Sequence, residues 1–170
     1  MRLAACALLL AACASSKVPD LDGSERDPLA ADWAVLIFVG TRCPISNRYA
    51  PEIQRLAQAH SNLPFFLVYP DGSDDEARAH RREYGFTLPA LRDPRRRLTR
   101  LSRAQVTPEA ALFHRGKLLY HGRIDDRFVD FGRERPQPTE HDLARALDAA
   151  LAGREVAPDH ADAIGCSISE

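Results

Sequence analysis

Two continuous apolar runs mark the first half of the chain. Residues 33–39 (WAVLIFV) and Phe65–Tyr69 (FFLVY) do not alternate with polar positions, which is typical of strands buried on both faces of a sheet. Two buried strands joined through a helix predict a parallel strand–helix–strand unit. Pro51 falls inside the intervening helix and should kink it, because proline has no backbone N–H. The apolar stripe at helical spacing is made by Ile45, Tyr49, Ile53, Leu56 and Ala57.

The second half of the chain predicts more helices and an antiparallel pair of strands. Glu109–His114 and residues 117–121 have strand composition and are joined by a turn at residues 115–116. Together with the first half, this order predicts an α/β fold with a mixed sheet and helices on both faces. The later helices, each preceded by a capping residue or a polar loop, are expected at residues 76–84, at 94–101 after Asp93 and at 140–151 after Thr139.

The N-terminus has the pattern of an export signal. Arg2 is followed by the apolar stretch 3–12 and by Cys13, and this stretch is shorter than the roughly 20 residues that span a bilayer. The sequence LAAC at residues 10–13 resembles a bacterial lipobox, which implies that residues 1–12 are removed and that Cys13 is lipidated. An ordinary secretory signal remains an alternative, and both imply export to the periplasm or cell surface. The absence of Asp at position 14 slightly favours the outer membrane.

Composition divides the rest of the chain into three parts. Residues 13–30 are expected to form a tether, 31–153 a single domain and 154–170 a C-terminal tail that carries Cys166. Lys plus Arg (23) nearly balances Asp plus Glu (24), which argues against a nucleic-acid partner. The arginines at 92–100 are interpreted as a solvated helix face. We expect a monomer, attached to a membrane only through its anchor.

Export reduces four cysteines to two that are available for thiol chemistry, Cys43 and Cys166. Cys43 comes directly after a buried strand, and Pro44 suits the first position of a helix. A thiol at a helix N-terminus has a lowered pKa, and the thiolate is the nucleophile. Cys43 is therefore a candidate redox cysteine. The alternative is a structural cysteine packed at a strand end.

Several motifs resemble one known family when they are taken together. They are the strand at 33–39, the turn Thr41-Arg42-Cys43-Pro44, Pro51, the pair Thr107-Pro108 before a strand, and the hairpin through Gly116. The combination resembles the thioredoxin superfamily, and most of all its redoxin branch, which includes alkyl hydroperoxide reductase/thiol-specific antioxidant proteins. The stretches TRCPISNRYAPEI, YHGRIDDRFVDFGRERPQPT and GCSI resemble exported redoxin-domain proteins. The resemblance covers residues 30–168 and implies a thioredoxin-like fold.

The resemblance also implies roles for individual residues. Cys43 matches the attacking cysteine, supported by Thr41 and Pro44. Pro108 matches a proline whose preceding peptide bond, from Thr107, is cis and lies against that cysteine. The implied substrates are protein thiols and disulfides, or a peroxide. No cofactor is implied.

Four positions depart from the family patterns. Ser46 replaces the second cysteine of the thioredoxin motif, so a vicinal dithiol couple is impossible. Asn47 replaces the second cysteine of the copper-chaperone relatives, which excludes a two-cysteine copper site at the motif. Gly40 and Leu36 replace the Thr or Ser and the proline of the peroxide-binding pattern. Peroxide reduction is therefore the weaker half of the expected activity.

Three interpretations of Cys166 remain open. A Cys43–Cys166 disulfide could be a permanent staple for the tail, worth about 4–5 kcal/mol in the chain-entropy model. Cys166 could instead resolve a mixed disulfide or sulfenic acid formed on Cys43. The two thiols could also be soft ligands for a metal such as copper, with a histidine.

Other candidate features point less clearly to a function. The six histidines show no metal-binding spacing, so no resident metal is expected from them, although His121 at a strand end could reach a site. The long polar loop at 123–138 is a candidate partner-binding edge. Its residues Asp125, Asp126 and Asp130 are interpreted as a solvated turn. Arg48 is interpreted as a surface charge, or else as a residue that stabilises a thiolate.

Overall fold

A computed structural model describes residues 16–157 and 160–169 of the 170-residue chain. The expected signal peptide at 1–12 and the expected lipidation site Cys13 lie outside the described residues. Within the described part, no helix has the length and apolar character needed to cross a bilayer.

The described elements alternate between strands and helices. The five helices are α1 (Pro44–Arg48), α2 (Ala50–Ala59), α3 (Asp74–Glu83), α4 (Arg97–Ser102) and α5 (Asp142–Leu151). The strands are β1 (Val18–Pro19), β2 (Glu25–Arg26), β3 (Trp33–Phe38), β4 (Phe65–Tyr69), β5 (Ala90–Arg92), β6 (Val106–Thr107), β7 (Glu109–His114), β8 (Lys117–Gly122), β9 (Phe128–Asp130), β10 (Arg133–Glu134), β11 (His160–Ala161) and β12 (Cys166–Ser167).

Six strands form the central mixed sheet in the order β11-β8-β7-β3-β4-β5. Strands β3, β4 and β5 run parallel, while β7 pairs antiparallel with both β3 and β8. Successive side chains of a strand point to opposite faces, so β3 contributes Val35 and Ile37 to one core and Leu36 and Phe38 to the other. The first core is covered by α1, α2, α3 and α5, and the second by α4. The expected α/β fold with helices on both faces of a mixed sheet is confirmed.

Pro51 breaks the first helix as expected. The helix is divided into α1 and α2 at Tyr49, and Pro51 lies in the first turn of α2, where its missing N–H costs nothing. Tyr49 still donates its backbone N–H to the carbonyl of Ile45 at 3.2 Å. The break therefore reorients the helix without leaving that donor unpaired.

Two helix starts differ from the sequence-based expectation. Asp93 does cap α4, since its Oδ1 accepts from the Arg97 N–H at 2.7 Å and its Oδ2 from the Thr99 N–H at 2.8 Å. However, α4 begins at Arg97, three residues later than predicted. The expected cap of the last helix was wrong, because α5 begins at Asp142 after His141 and Thr139 instead binds Asp126.

Two surface assignments are corrected by burial. Residues 18–26, expected to belong to a tether, form the β1–β2 hairpin, and Val18 and Leu21 are buried in the cores. Arg92, expected on a solvated helix face, ends β5 and is 4% exposed. Its guanidinium pairs with Asp74 at 2.8 Å and donates to the carbonyl of Tyr69 at 2.9 Å. Bonds to its acceptors balance the cost of burying this charge.

Candidate redox site

Cys43 lies at the junction of β3 and α1, where it is the N-cap residue. Pro44 follows at the first helical position and is exposed. The thiol itself is buried, with 3% of the residue exposed, and its Sγ lies 3.0 Å from the carbonyl oxygen of Thr107. In the neutral thiol form Cys43 donates to this carbonyl. Chain order thus places Cys43 at the end of a buried strand. The fold then places its thiol against Thr107, the last residue of β6.

The loop before Pro108 supplies the opposite wall of the site. The Thr107–Pro108 peptide bond is cis, as the resemblance implied. Gly40 permits a close approach of the two walls, because a Cβ there would lie 2.7 Å from Thr107 Oγ1 and 3.1 Å from the Cβ of Cys43. Real Cβ atoms do not come this close to a neighbour without a shift of that neighbour. Gly40, which departs from the peroxide-binding pattern, is therefore needed here for the packing of Cys43 against Thr107.

The serine that replaces the second motif cysteine, Ser46, forms a structural hydrogen bond. Ser46 is fully buried, and its hydroxyl accepts a hydrogen bond from the Gly40 N–H at 3.2 Å. This bond ties the strand end to α1 behind Cys43. Sequence reasoning treated Ser46 only as a missing cysteine, since a bond between residues six positions apart leaves no periodic signal.

The C-terminal tail returns to this site. Strand β12 pairs antiparallel with β6, with Cys166 opposite Thr107, and the Ile168 N–H donates to the Gln105 carbonyl at 2.9 Å. Gly165 lies so close to the loop that a Cβ there would be 2.3 Å from the carbonyl oxygen of Thr107. Pairing of two short strands thus brings a distant segment of the chain onto the wall of the site.

The two thiols lie near each other. Both Cys43 and Cys166 are free thiols. The Cys43 Sγ contacts the carbonyl oxygen of Thr107, the residue that pairs with Cys166, and each thiol shifts the pKa of the other. Cys43 is buried, whereas Cys166 is partly exposed. The arrangement places the two sulfurs close together in the reduced form.

The shared hydrogen bond separates the pKa values of the two thiols. Burial raises the pKa of Cys43, but hydrogen bonds from the Cys166 thiol, from the backbone N–H groups of Ser46 and Cys166, and from Thr107 outweigh burial and leave the pKa below its ordinary value. Burial and the neighbouring Cys43 raise the pKa of Cys166 to about 12. Cys43 is therefore the sulfur that ionises first, as the nucleophile of a redox pair must.

Removing the donor thiol should raise the pKa of Cys43. In Cys166→Ala the thiolate loses the side-chain donor that lowers its pKa most. Ionisation, measured by ultraviolet absorbance of the thiolate, should therefore require a higher pH than in the wild type. Because the folded pKa is the lower one, the thiolate bonds stabilise the fold above the ordinary cysteine pKa of about 8.5. This contribution is lost as the pH falls through the folded value. An unchanged ionisation midpoint in Cys166→Ala, with Ser167→Ala as the matched control, would contradict the assignment.

The other sequence-predicted residues lie at different distances from the chemistry. The Thr41 hydroxyl lies beside Gly72 in the loop before α3, 3.4 Å from the position a Cβ would take there. Arg48 pairs with Glu134 at 3.3 Å, which makes it a link to strand β10. The suggestion that Arg48 stabilises a thiolate therefore finds no support in its contacts.

The loop at 123–138 is not simply solvated. It contains the small β9–β10 hairpin, and Asp125 and Asp126 are buried. Tyr49 donates its hydroxyl to Asp125 at 2.5 Å, and Asp126 accepts from the Thr139 hydroxyl at 2.6 Å. The interpretation of these two aspartates as a solvated turn was wrong, because tertiary donors reach them from Tyr49, between α1 and α2, and from the segment before α5.

Potential metal ligands converge at a different place. Within residues 16–157 and 160–169, one group of three His, Cys, Asp or Glu side chains has its ligand atoms within 4.8 Å of one another. It consists of Glu52, Asp125 and His141 and includes neither cysteine. Arg55 already occupies both oxygens of Glu52, at 2.7 and 2.6 Å. His121 is buried, with its Nδ1 3.7 Å from a carboxylate oxygen of Glu109. Among the described residues, no His, Asp or Glu side chain joins the two cysteines in a group of three potential metal ligands.

Comparisons with known proteins identify the fold. No protein-family model matches the sequence, and no curated protein sequence matches it. A hypothetical protein of Sinorhizobium meliloti 1021 is similar over 89% of this chain and 88% of its own, at 25% identity and a TM-score of 0.74. An uncharacterized conserved protein of Geobacillus kaustophilus is similar over 91% and 87%, at 25% identity and a TM-score of 0.76.

A characterised oxidoreductase shares the same architecture. The secreted Mycobacterium tuberculosis disulfide oxidoreductase that is homologous to E. coli DsbE covers 85% of this chain and 96% of its own, at 19% identity and a TM-score of 0.55. At this identity the likeness concerns the fold alone. The chain has a thioredoxin-like fold.

Proposed function

We propose that the protein is an exported thiol-disulfide oxidoreductase that uses Cys43 and Cys166 as a dithiol–disulfide couple. The observation that carries the proposal is the pairing of β12 with β6, which brings the Cys166 thiol to the Cys43 thiol. A buried thiol of lowered pKa beside a second thiol is the arrangement that thiol–disulfide exchange requires. The likeness in fold to a secreted disulfide oxidoreductase supports the same class of reaction.

In the reductive direction, the Cys43 thiolate attacks one sulfur of a substrate disulfide. A mixed disulfide forms on Cys43, and the other substrate sulfur leaves as a thiolate that takes up a proton. Cys166 then loses its proton and attacks Cys43 Sγ, which releases the second substrate thiol. The substrate gains two electrons and two protons, and the protein becomes the Cys43–Cys166 disulfide.

Protein disulfides fit this site better than a peroxide does. Membership of the alkyl hydroperoxide reductase branch rests on sequence stretches, while Gly40 and Leu36 stand where the peroxide-binding pattern has other residues. Gly40 is needed for the close approach of Thr107. The supporting residues Pro44, Thr107 and Pro108 shape a wall around Cys43 that suits sulfur exchange.

Export and anchoring form part of the same proposal. The lipobox-like residues 10–13 support lipidation of Cys13 and an attachment to the membrane, with the outer membrane slightly favoured. The described elements would then face the periplasm or the cell exterior as a monomer. Such compartments are kept oxidising. Disulfides, the proposed substrates of the cysteine pair, therefore persist there.

Turnover on insulin disulfides tests the proposal. The experiment uses the full chain with Cys6→Ser and Cys13→Ser, so that two thiols remain, and dithiothreitol as reductant. Reduction of insulin should be fast with this protein and should fall to the uncatalysed rate in Cys43→Ser. Ser167→Ala, an exposed change beside Cys166, should keep full activity.

Other outcomes would replace the proposal with a defined alternative. A Cys43–Cys166 bond that resists dithiothreitol in the folded protein would make the disulfide a permanent staple. Peroxide turnover that exceeds insulin turnover would move the protein to the peroxide-reducing class. Stoichiometric copper uptake by the two thiols without turnover would make it a binding protein.

A further inference from the structure

The two sulfurs of the proposed couple differ in their access to solvent. Cys43, at the junction of β3 and α1, is 3% exposed and belongs to the first core. Cys166 is partly exposed, and its neighbour Ser167 is exposed. Among the described residues, β12 pairs on one side only, with β6, so its other edge is not covered by a strand. A molecule that approaches from solvent therefore meets Cys166 first.

The tail is fixed in place on both sides of Cys166. Before it, Gly165 is buried against Thr107. After it, the Ile168 N–H bonds to Gln105, and the Ser169 carbonyl accepts from Arg96 Nε at 3.0 Å. These contacts hold Cys166 as part of the packed domain. The difference in access thus belongs to the docked state and does not require movement of the tail.

We infer that Cys166, and not Cys43, is the sulfur at which an external dithiol donor reduces the oxidised couple. The inference rests on the proposed function, because it concerns how the Cys43–Cys166 disulfide is recycled. It reverses the roles expected from the thioredoxin motif, in which the motif cysteine makes the exchange with partners. Burial of Cys43 beneath the tail is the reason for the reversal.

The step balances in atoms and electrons. A donor thiolate attacks Cys166 Sγ, the Cys43–Cys166 bond breaks, and Cys43 leaves as a thiolate that keeps the bond's electron pair. The second thiol of the donor then attacks the donor sulfur of the mixed disulfide, and Cys166 leaves and takes up a proton. The donor becomes a disulfide and the protein a dithiol. Cys43 is also a good leaving group, since the backbone N–H groups of Ser46 and Cys166 and the Thr107 side chain stabilise its thiolate without help from the Cys166 thiol.

The site of the first adduct can be mapped with reduced glutathione as the probe. The full chain with Cys6→Ser and Cys13→Ser is oxidised, freed of oxidant, exposed briefly to glutathione, quenched with acid and alkylated with N-ethylmaleimide. Trypsin separates the two cysteines into residues 43–48 and 155–170. We expect glutathione on the tail peptide and N-ethylmaleimide on the Cys43 peptide, in at least about tenfold excess over the converse pattern, because access and leaving group favour the same sulfur. Glutathione mainly on residues 43–48 would overturn the inference.

Single-thiol variants test the same point without rearrangement of the adduct. Cys43→Ser and Cys166→Ala are each loaded as the glutathione mixed disulfide in the same background, and release by dithiothreitol is timed. The adduct on Cys166 should be reduced about tenfold faster than the adduct on Cys43. Equal rates would contradict the inference, but they would not contradict the proposed function, in which Cys43 and Cys166 form a reversible disulfide. If no Cys43–Cys166 disulfide forms on oxidation of the two-thiol protein, the proposed function fails, and the inference fails with it.

Discussion

Replacing Gly165 with alanine should slow formation of the Cys43–Cys166 disulfide by at least about tenfold, because the added methyl group removes the proximity that makes the reaction intramolecular. The new Cβ would lie 2.3 Å from the carbonyl oxygen and 2.7 Å from the carbonyl carbon of Thr107. Both are backbone atoms, which cannot rotate away as a side chain can. Strand β12 must therefore lift from β6 and carry Cys166 away from Cys43.

The rate is measured as loss of free thiols after addition of oxidised glutathione to the two-thiol protein. Ser167→Ala is the matched control, since Ser167 lies in the same strand and is exposed. The control should oxidise at the wild-type rate. Equal rates for Gly165→Ala and the wild type would show that tail docking does not bring the two sulfurs together.

Replacing Asp126 with alanine should lower the free energy of unfolding by about 3 kcal/mol, since three charge-assisted hydrogen bonds to a buried carboxylate would be lost and such bonds contribute more than neutral ones. Asp126 is 5% exposed. It accepts from the Thr139 N–H and hydroxyl at 2.7 and 2.6 Å and from the Glu140 N–H at 2.9 Å. Arg135 lies 3.1 Å from the same carboxylate. The loss should be visible in urea denaturation, with the exposed neighbour Asp130→Ala as a control within about 0.5 kcal/mol of wild type.

Acid titration gives an independent check on Asp126. Burial alone would raise its pKa, but the Thr139 hydroxyl, the N–H groups of Glu140 and Thr139, and the Arg135 charge hold the pKa well below its usual range. The folded pKa is therefore depressed, so the stabilisation is complete above the unfolded value of about 3.9 and is lost as the pH falls toward the folded value. The wild type should lose stability below pH 4 more steeply than Asp126→Ala. Parallel curves for the two proteins would contradict this account.

The parts of the fold that were predictable from sequence are those with strong local patterns. Strands β3 and β4 are continuous apolar runs, and each lies within one residue of the predicted bounds. Pro44 and Pro51 identified the start and the break of the first helix, because proline restricts the backbone wherever it stands. Asp93 was recognised as a cap for the same kind of local reason, although the helix whose N–H groups it accepts from begins only at Arg97, after Arg96 at the N-cap position.

The parts that could not be predicted depend on tertiary partners. Strands β1, β2, β6 and β12 each contain two residues, which is too short for any periodic signal. Thr139 resembled a cap because its residue type is right, but its hydroxyl is taken by Asp126 in the earlier loop. Arg92 resembled a surface charge because the carbonyls that accept from it belong to the last residue of β4, Tyr69, and to Asp71 in the loop that follows. Only the assembled fold brings these partners together.

The candidate site shows the same division. Cys43 was identified from its place between strand and helix, and Cys166 was a candidate because it is the one other thiol expected in the exported chain. Their meeting depends on the close contact of Gly165 with Thr107 and on pairing of β12 with β6. A glycine and two paired residues carry no signal that could be read before the fold was known.

A redox titration of the two-thiol protein tests the central claim that Cys43 and Cys166 form a reversible couple. The folded protein is equilibrated in dithiothreitol buffers of graded potential, and free thiols are counted after acid quenching. The account predicts one transition from two free thiols to none, with the slope of a two-electron couple, about 30 mV per tenfold change. A count that stays at two in every buffer, or at zero in excess dithiothreitol with the fold intact, would contradict it.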